Sequence, residues 1–334
     1  MHNDITSNQE KISKMLIVGF KGTVLHEEDP VVRAILQKQI GGVILFAENI
    51  VSPLQLSALT KQLRRYADHA ALSDFIISID YEGGTVHRLP ESLGFPKRLS
   101  AQMMSTLSFA EAKAEAQRMT ETLEKFGFNL NFAPVVDVNV NPDNPILGKR
   151  ERCFSGDPAK VADYANIVIE SLNERGITAV IKHFPGHGSS LGDTHLGFVD
   201  VTETWQSSEL EPYKQLLQHQ NDRLMIMTAH VVHRGFDASG LPASLSKAMT
   251  TDLLRDITPH RFTIVADDLQ MRAVRDHYSL EDAVRLAIAA GADHIIIGNQ
   301  LMAHEDSMSI LDMMRIARIL PLILKGLNSE PGFY

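Results

Sequence analysis

The stretch IKHFPGHGSSLGDTHLG, residues 181–197, decides how the chain is read. Apolar residues 178–181 run straight into Lys182 and His183, and Pro185, Gly186, Gly188 and Gly192 follow at once. An apolar run that turns abruptly charged is a buried strand emerging at a surface. Glycine and proline at that density stop both strand and helix, so a loop begins there. The loop carries His187, Asp193 and His195. Polar groups held on a rigid strand end are where binding and chemistry concentrate. In Asp193-x-His195 the carboxylate can hold the imidazole in one tautomer. A solvated polar loop is the plain alternative, but a lysine, three histidines and an aspartate at one strand mouth weigh against it.

Working outward, the chain holds eight short apolar runs, at 15–20, 42–46, 75–80, 129–137, 178–183, 224–230, 262–267 and 294–299. Most are rich in Ile, Val and Phe without strict alternation, as in strands buried on both faces. Helical patterns lie between them, at 31–40, 53–67, 108–126, 158–175, 209–218, 246–257 and 280–290, with a last one at 303–327. Strands alternating with helices imply a parallel sheet with right-handed crossovers. Eight such units fit an α/β chain folded as a single-domain (β/α)8 TIM-type barrel over residues 1–334. A doubly wound open sheet is the alternative, and the first run could lie outside the barrel. No G-x-G-x-x-G follows the first run, and polar residues end at least five runs, which favours the barrel.

Composition narrows the function. With 32 basic against 41 acidic residues, the net charge is 32 minus 41, or −9. That opposes an electrostatic nucleic-acid binder and a polybasic membrane anchor. Cys153 is the one cysteine, so neither an internal disulfide nor a Cys-based zinc site can be built. The first residues, MHNDITSNQEKISK, lack the apolar core of a signal peptide. No apolar run is long enough to span a bilayer. The expected location is the cytoplasm and the expected partner a small molecule.

In a barrel all strand C-termini open at one mouth. Those ends supply Asp80, Glu82, His87 and Arg88; then Asp137, Arg150 and Arg152; then Lys182, His183, Asp193 and His195; then His230; then Asp267 and Asp268; and finally Asn299. Arg150 reads as a surface charge, and His87 and His187 read as structural or exposed. Asp137 could tie down a loop as readily as touch a ligand, and His230 could be a core histidine. Asp267 and Asp268 are adjacent, so on a strand only one can face the mouth. A zinc site built on His183, His187, Asp193 and His195 is the competing chemistry. Lys182 opposes a cation there and the usual ligand spacings are absent, so no metal and no cofactor are expected.

These residues resemble glycoside hydrolase family 3, and within it the bacterial β-N-acetylglucosaminidases. Residues 182–188, KHFPGHG, followed by Asp193-Thr194-His195, are similar to that subgroup's K-H-F-P-G-H-G…D-S-H. Asp80-Tyr81-Glu82-Gly83-Gly84…Arg88 is similar to D-Q-E-G-G…R. Residues 131–137, NFAPVVD, and Asn144-Pro145-Ile146 resemble N-F-A-P-V-x-D and N-P-I. Residues 265–271, VADDLQM, resemble the nucleophile segment S-D-D-L-x-M. Tyr81, Thr85, Cys153 and Ala266 depart from the usual residues.

The resemblance implies a retaining exo-β-N-acetylglucosaminidase acting on cell-wall muropeptides or chitooligosaccharides through a covalent glycosyl-Asp267 intermediate. Asp267 would be the nucleophile, with Lys182 and Arg152 lowering its pKa. His195 would be acid and then base, since an imidazole titrates near about 6.5, and Asp193 would orient it. Asp80, Arg88, Arg152, Lys182 and His183 would bind the sugar. A phosphorylase on the same scaffold, a β-glucosidase or β-xylosidase, and a non-catalytic sugar-binding barrel are the alternatives.

Overall fold

Each apolar run becomes a parallel strand, and in the computed structural model, which describes residues 14–299, they hydrogen-bond into a closed ring. The barrel strands are β1 (Leu16–Val18), β2 (Gly42–Leu45), β3 (Ile76–Ile79), β4 (Leu130–Asn131) and β5 (Thr178–Phe184). After β6 (Val199–Asp200) come β7 (Leu224–Thr228), β8 (Val231–Val232), β9 (Thr263–Ala266) and β10 (His294–Ile297). The order around the ring is β1-β10-β9-β7-β5-β4-β3-β2. β1 pairs with both β2 and β10, so the first run is part of the barrel and the open-sheet alternative falls. Closure requires glycine at its seam, because a Cβ on Gly19 would stand 1.9 Å from the Gly298 carbonyl oxygen.

The lack of strict alternation has a direct cause. Ile17, Ile44, Ile76, Val180, Met227, Val265 and Ile296 pack together inside the barrel. Their sequence neighbours Leu16, Val18, Val43, Leu45, Ile181 and Ile295 pack outward under the helices. Side chains alternate faces along a strand, and here both faces are buried, so both must be apolar.

The outer layer comprises α1 (Pro30–Leu36), α2 (Pro53–His69), α3 (Ala101–Met104), α4 (Phe109–Lys125), α5 (Pro158–Glu174), α6 (Glu211–Leu216), α7 (Leu254–Ile257), α8 (Arg272–Arg275) and α9 (Leu280–Ala290). The long ones start at side-chain caps. Ser52 accepts from Gln55 N, Ser108 and Glu111 form a reciprocal box, Asp157 accepts from Ala159 N, and Ser279 accepts from Asp282 N. Each satisfies donors that the first turn leaves free. Gly291 ends α9 in the left-handed region at φ 105°, which suits glycine.

Three boundaries differ from the sequence expectation. The run 129–137 forms regular strand only at Leu130–Asn131. Pro134 has no N–H to give the ladder, and beyond it only an isolated bridge joins Val135 to Lys182. The pattern 246–257 begins as a π-helical turn, Ala248–Leu253, before α7. The run 224–230 stops at Thr228, and the chain re-pairs as a small parallel ladder, β6 with β8, outside the barrel. The expected helix at 303–327 lies outside the described residues. Among the described residues no helix is long and apolar enough to cross a membrane.

Ile17 is fully buried inside the barrel, whereas Leu54 is 84% exposed. Ile17→Ala should therefore lower the unfolding free energy by about 2–5 kcal/mol, and Leu54→Ala should change it by under about 0.5 kcal/mol. Urea unfolding of the two variants checks this.

Candidate active site

Strand parity decides which strand-end residues meet. Asp80 continues the inward face of Ile76 and Ser78, Lys182 that of Val180, and Asp267 that of Val265. The three therefore project into the same mouth.

At its centre is a buried charge network. The Lys182 ammonium lies 2.8 Å from Asp80 Oδ1 and 2.7 Å from Glu82 Oε1. Glu82 also takes a two-pronged contact from Arg152, with Nε and Nη2 each at 2.8 Å. Arg152 Nη1 donates to the Ile146 carbonyl at 3.0 Å. Arg88 Nη2 reaches Asp80 Oδ2 at 3.3 Å, and its guanidinium lies over the Phe46 ring. Burial would raise the pKa of both acids, but the cations outweigh it. Lys182 and Arg88 hold Asp80 well below the usual carboxylate range. Arg152 and Lys182 lower Glu82 to about 2.

A second buried carboxylate organises the strand end. Asp137 accepts from the His183 N–H at 3.2 Å and from the His187 N–H at 2.8 Å, and its Oδ2 lies 2.7 Å from His183 Nδ1. Asp137 thus ties β5 to the β4 loop and orients the His183 ring. His187 is buried, with Ser190 Oγ 2.6 Å from its Nδ1. Burial lowers its pKa to about 4, so it is a neutral, structural imidazole.

The Asp193–His195 pair forms within the loop. Asp193 Oδ1 lies 2.7 Å from His195 Nδ1 and accepts the His195 N–H at 2.8 Å. With Nδ1 facing a carboxylate, Nε2 is the free nitrogen. The His195 side chain is 59% exposed and Asp193 13%. Its charge nevertheless acts on Asp268 and His230 across the mouth.

The two adjacent aspartates differ. Asp268 bonds sideways, its Oδ1 accepting from Gln270 N and Gly298 N at 3.0 Å each. Burial pushes its pKa up to about 6. Asp267 accepts one hydrogen bond, from the Asp268 N–H at 2.8 Å. Burial opposes its ionisation, yet its pKa is lowered, first by His230 and His183 and last by Lys182. Lys182 thus lowers the Asp267 pKa as expected, though less than the two imidazoles do, while Arg152 is not among the groups that lower it. His230 is itself held by Ser244 Oγ at 2.7 Å and the Asp268 carbonyl at 2.9 Å.

Sequence reasoning gave Glu82 no role, although its spacing from Asp80 puts both on one strand face, which was the available signal. The departures from the motif point away from the mouth. Tyr81 and Ala266 pack into the core beneath the helices, and Cys153 sits in a small cluster with Val135, Ile146 and Leu147. Thr85 is at the surface.

The chain is also similar to known proteins. Residues 7–320 match the family model described as the N-terminal domain of glycosyl hydrolase family 3. A beta-hexosaminidase of Idiomarina loihiensis is 31% identical over 295 residues, covering 85% of this chain and 83% of that one. A family 3 β-N-acetylglucosaminidase of a Paenibacillus species superposes with TM-score 0.80 at 27% identity, over 98% of this chain; this chain spans 64% of that one. A β-N-acetylhexosaminidase of Beutenbergia cavernae gives TM-score 0.79 at 25% identity, over 96% and 98% of the two chains.

Removing Glu82 leaves Arg152 and Lys182 buried with unmatched charge, so Glu82→Gln should cost about 3–5 kcal/mol of stability. The sign with pH follows from the lowered pKa. The contribution is complete above the ordinary 4.5 and is lost as pH falls through about 2. Unfolding free energies measured through that window should fall more steeply for wild type than for Glu82→Gln.

Proposed function

The chain belongs to glycosyl hydrolase family 3, and on that premise we propose that it is a retaining exo-β-N-acetylglucosaminidase. The observation that carries the reading is the pairing, at one barrel mouth, of an ionised buried aspartate, Asp267, with a solvent-facing Asp193–His195 dyad. Retention needs a carboxylate nucleophile on one side of the anomeric carbon and a proton donor beside the leaving oxygen.

In the first step an Asp267 oxygen attacks the anomeric carbon. The glycosidic C–O bond breaks, and the proton on His195 Nε2 passes to the departing oxygen. In the second step neutral His195 takes a proton from water. The water oxygen attacks the same carbon, and the bond to Asp267 breaks. Asp193 at Nδ1 keeps Nε2 the working nitrogen and stabilises the imidazolium.

Asp80, Lys182, Arg88 and His183 form the sugar floor. Each Asp80 oxygen already accepts from one cation and keeps a lone pair for a sugar hydroxyl. Arg152 completes that floor and also holds Glu82, so fixing Lys182. The terminal sugar is an N-acetylglucosamine of a muropeptide or chitooligosaccharide, and the compartment is the cytoplasm. The relatives' hexosaminidase names and the match to the D-S-H subgroup support the sugar. A chain whose lone cysteine is free and buried suits a reducing compartment.

A panel of nitrophenyl glycosides tests this. Release from the N-acetylglucosaminide should far exceed release from the glucoside and xyloside, with free N-acetylglucosamine as product whether or not phosphate is added. A dominant sugar phosphate would instead make the protein a phosphorylase.

Asp267→Ala should abolish turnover in a folded protein, while Asp268→Asn, which keeps an acceptor for Gly298 and Gln270, should retain it. Steady-state kinetics on both variants decide which aspartate attacks. His195→Ala should lose about 10²–10⁴-fold on natural disaccharides and much less on activated aryl glycosides, which need little protonation to leave. Azide should accelerate the variant on the activated substrate, because that nucleophile needs no base. Equal losses on both substrates without azide rescue would remove the acid/base role from His195.

A further inference from the structure

Glu209 is a fully buried acid that the mechanism above does not use. It lies in the short 3-10 turn Ser207–Leu210, just before α6. Its Oε2 accepts from the Gly188 N–H at 2.8 Å and the Ser189 N–H at 3.3 Å. Its Oε1 accepts from the Gln206 N–H at 3.3 Å. None of the groups that shift its titration is a cation. With Asp137 taking the His187 N–H, two buried carboxylates receive three consecutive backbone donors at the root of the dyad loop. Converging N–H groups of this kind form an anion-binding concavity.

The loop is shaped to this acid. A Cβ on Gly186, whose φ is +123°, would stand 2.6 Å from Glu209 Cβ. One on Gly188 would stand 1.7 Å from the Val138 carbonyl oxygen and 3.4 Å from Glu209 Oε2. The backbone is thus pressed between Val138 and Glu209, and Asp193 follows Gly188 by five residues. Beyond Ser190 the loop is exposed at Leu191, 75%, and Leu196, 70%, while Thr194 between the dyad residues stays buried.

We propose that Glu209 is a positioning residue for the acid/base step, gripping the root of the loop so that the Asp193–His195 dyad stands over the barrel mouth. The inference rests on the hydrolase reading given above. Hydrogen bonds to an ionised acceptor are roughly twice as strong as neutral ones, and both oxygens are occupied by donors. An amide in the same place must aim its NH2 at a backbone N–H, so glutamine cannot replace the grip.

The grip also responds to pH. Burial pushes the Glu209 carboxyl up to about 7, with Asp137 adding to the rise. The titratable groups that interact with it are Asp137 beyond β4, Cys153 in the following loop and Tyr213 on α6, and His187 precedes the Gly188 that Glu209 holds. Cys153, Tyr213 and His187 are neutral near pH 7, because burial raises the first two and lowers His187 to about 4. Glu209 therefore gains its charge near pH 7, gripping the loop above that value and loosening below it.

The test compares full-length Glu209→Gln and Glu209→Asp with wild type. In Glu209→Gln, kcat on a β-linked N-acetylglucosamine disaccharide should fall by about 10- to 100-fold, below the ~10²–10⁴ that general acid–base catalysis can supply. Loss on the activated aryl glycoside should be several-fold smaller, and the inhibition constant of free N-acetylglucosamine should stay within about 2-fold. The acidic limb of kcat near pH 7 should flatten, since glutamine does not titrate. Amide hydrogen exchange across residues 187–196 should quicken, and Glu209→Asp should recover part of each effect. Equal losses on both substrates, or unchanged exchange in the loop, would overturn the proposal. If Glu209→Gln lacks a cooperative unfolding transition, Glu209→Asp alone is judged by the same criteria. If wild type hydrolyses neither substrate, the hydrolase reading fails and the exchange comparison decides the grip by itself.

Discussion

The Lys182 ammonium, 3% exposed and clasped by two carboxylates, is the constraint on which the mouth of the barrel depends. A buried cation is tolerable only if paired and hydrogen-bonded. Lys182 needs Asp80 and Glu82 on β3's inward line, and Glu82 in turn needs Arg152 from the β4 loop. Three strand ends are thereby fixed relative to one another. Both oxygens of Asp80 are held in place by Lys182 and Arg88, which is the preorganisation the proposed sugar floor requires.

The loop that carries the dyad is held at two places and exposed at His195. Its root is buried and gripped by Asp137, Glu209 and the Asn144 amide, which donates to the His187 carbonyl at 2.8 Å. Its far end touches the segment after Asp267, where Ala273 N donates to the Thr194 carbonyl at 3.2 Å and the Phe198 and His277 rings meet edge to face. Between these anchors His195 faces solvent. A general acid that must meet both a leaving oxygen and a water needs access, while its approach must be set by something that does not move. Burial supplies the second at the root and exposure the first at the tip.

Two charge patterns within the site follow one rule. Carboxylates that face cations or imidazoles, namely Asp80, Glu82, Asp137 and Asp267, are held ionised against the cost of burial. Asp268 and Glu209, whose hydrogen bonds come mainly from backbone donors and which also face another acid, are pushed upward by burial instead, to about 6 and about 7. The adjacent pair Asp267 and Asp268 thus splits into a charged group aimed inward and a weaker acid tied to β10. Strand alternation makes that division before any electrostatics act.

Much of the fold was legible because local and global preferences agree. Runs such as 15–20 and 294–299 are apolar on both faces, and only a layer between two cores demands that. The abrupt change to polar residues at Asp80, Lys182 and Asp267 marked the mouth, and Asp193-x-His195 is close enough in sequence to form within its own loop. The roles of Glu82, Glu209, Asp137 and His230 were not legible. Glu82 meets Arg152 seventy residues away and Glu209 meets Gly188 at twenty-one, and Asp137 and His230 could each be read two ways. Sequence by itself determined the alternation of elements and the Asp193–His195 pair, since periodicity and short-range spacing are properties of the chain, while the candidate nucleophile segment came from its resemblance to a known family. Only the tertiary structure decided the closure of the ring, which cation pairs with which acid, and which groups hold the loop. Those depend on distances set by packing between elements remote in sequence.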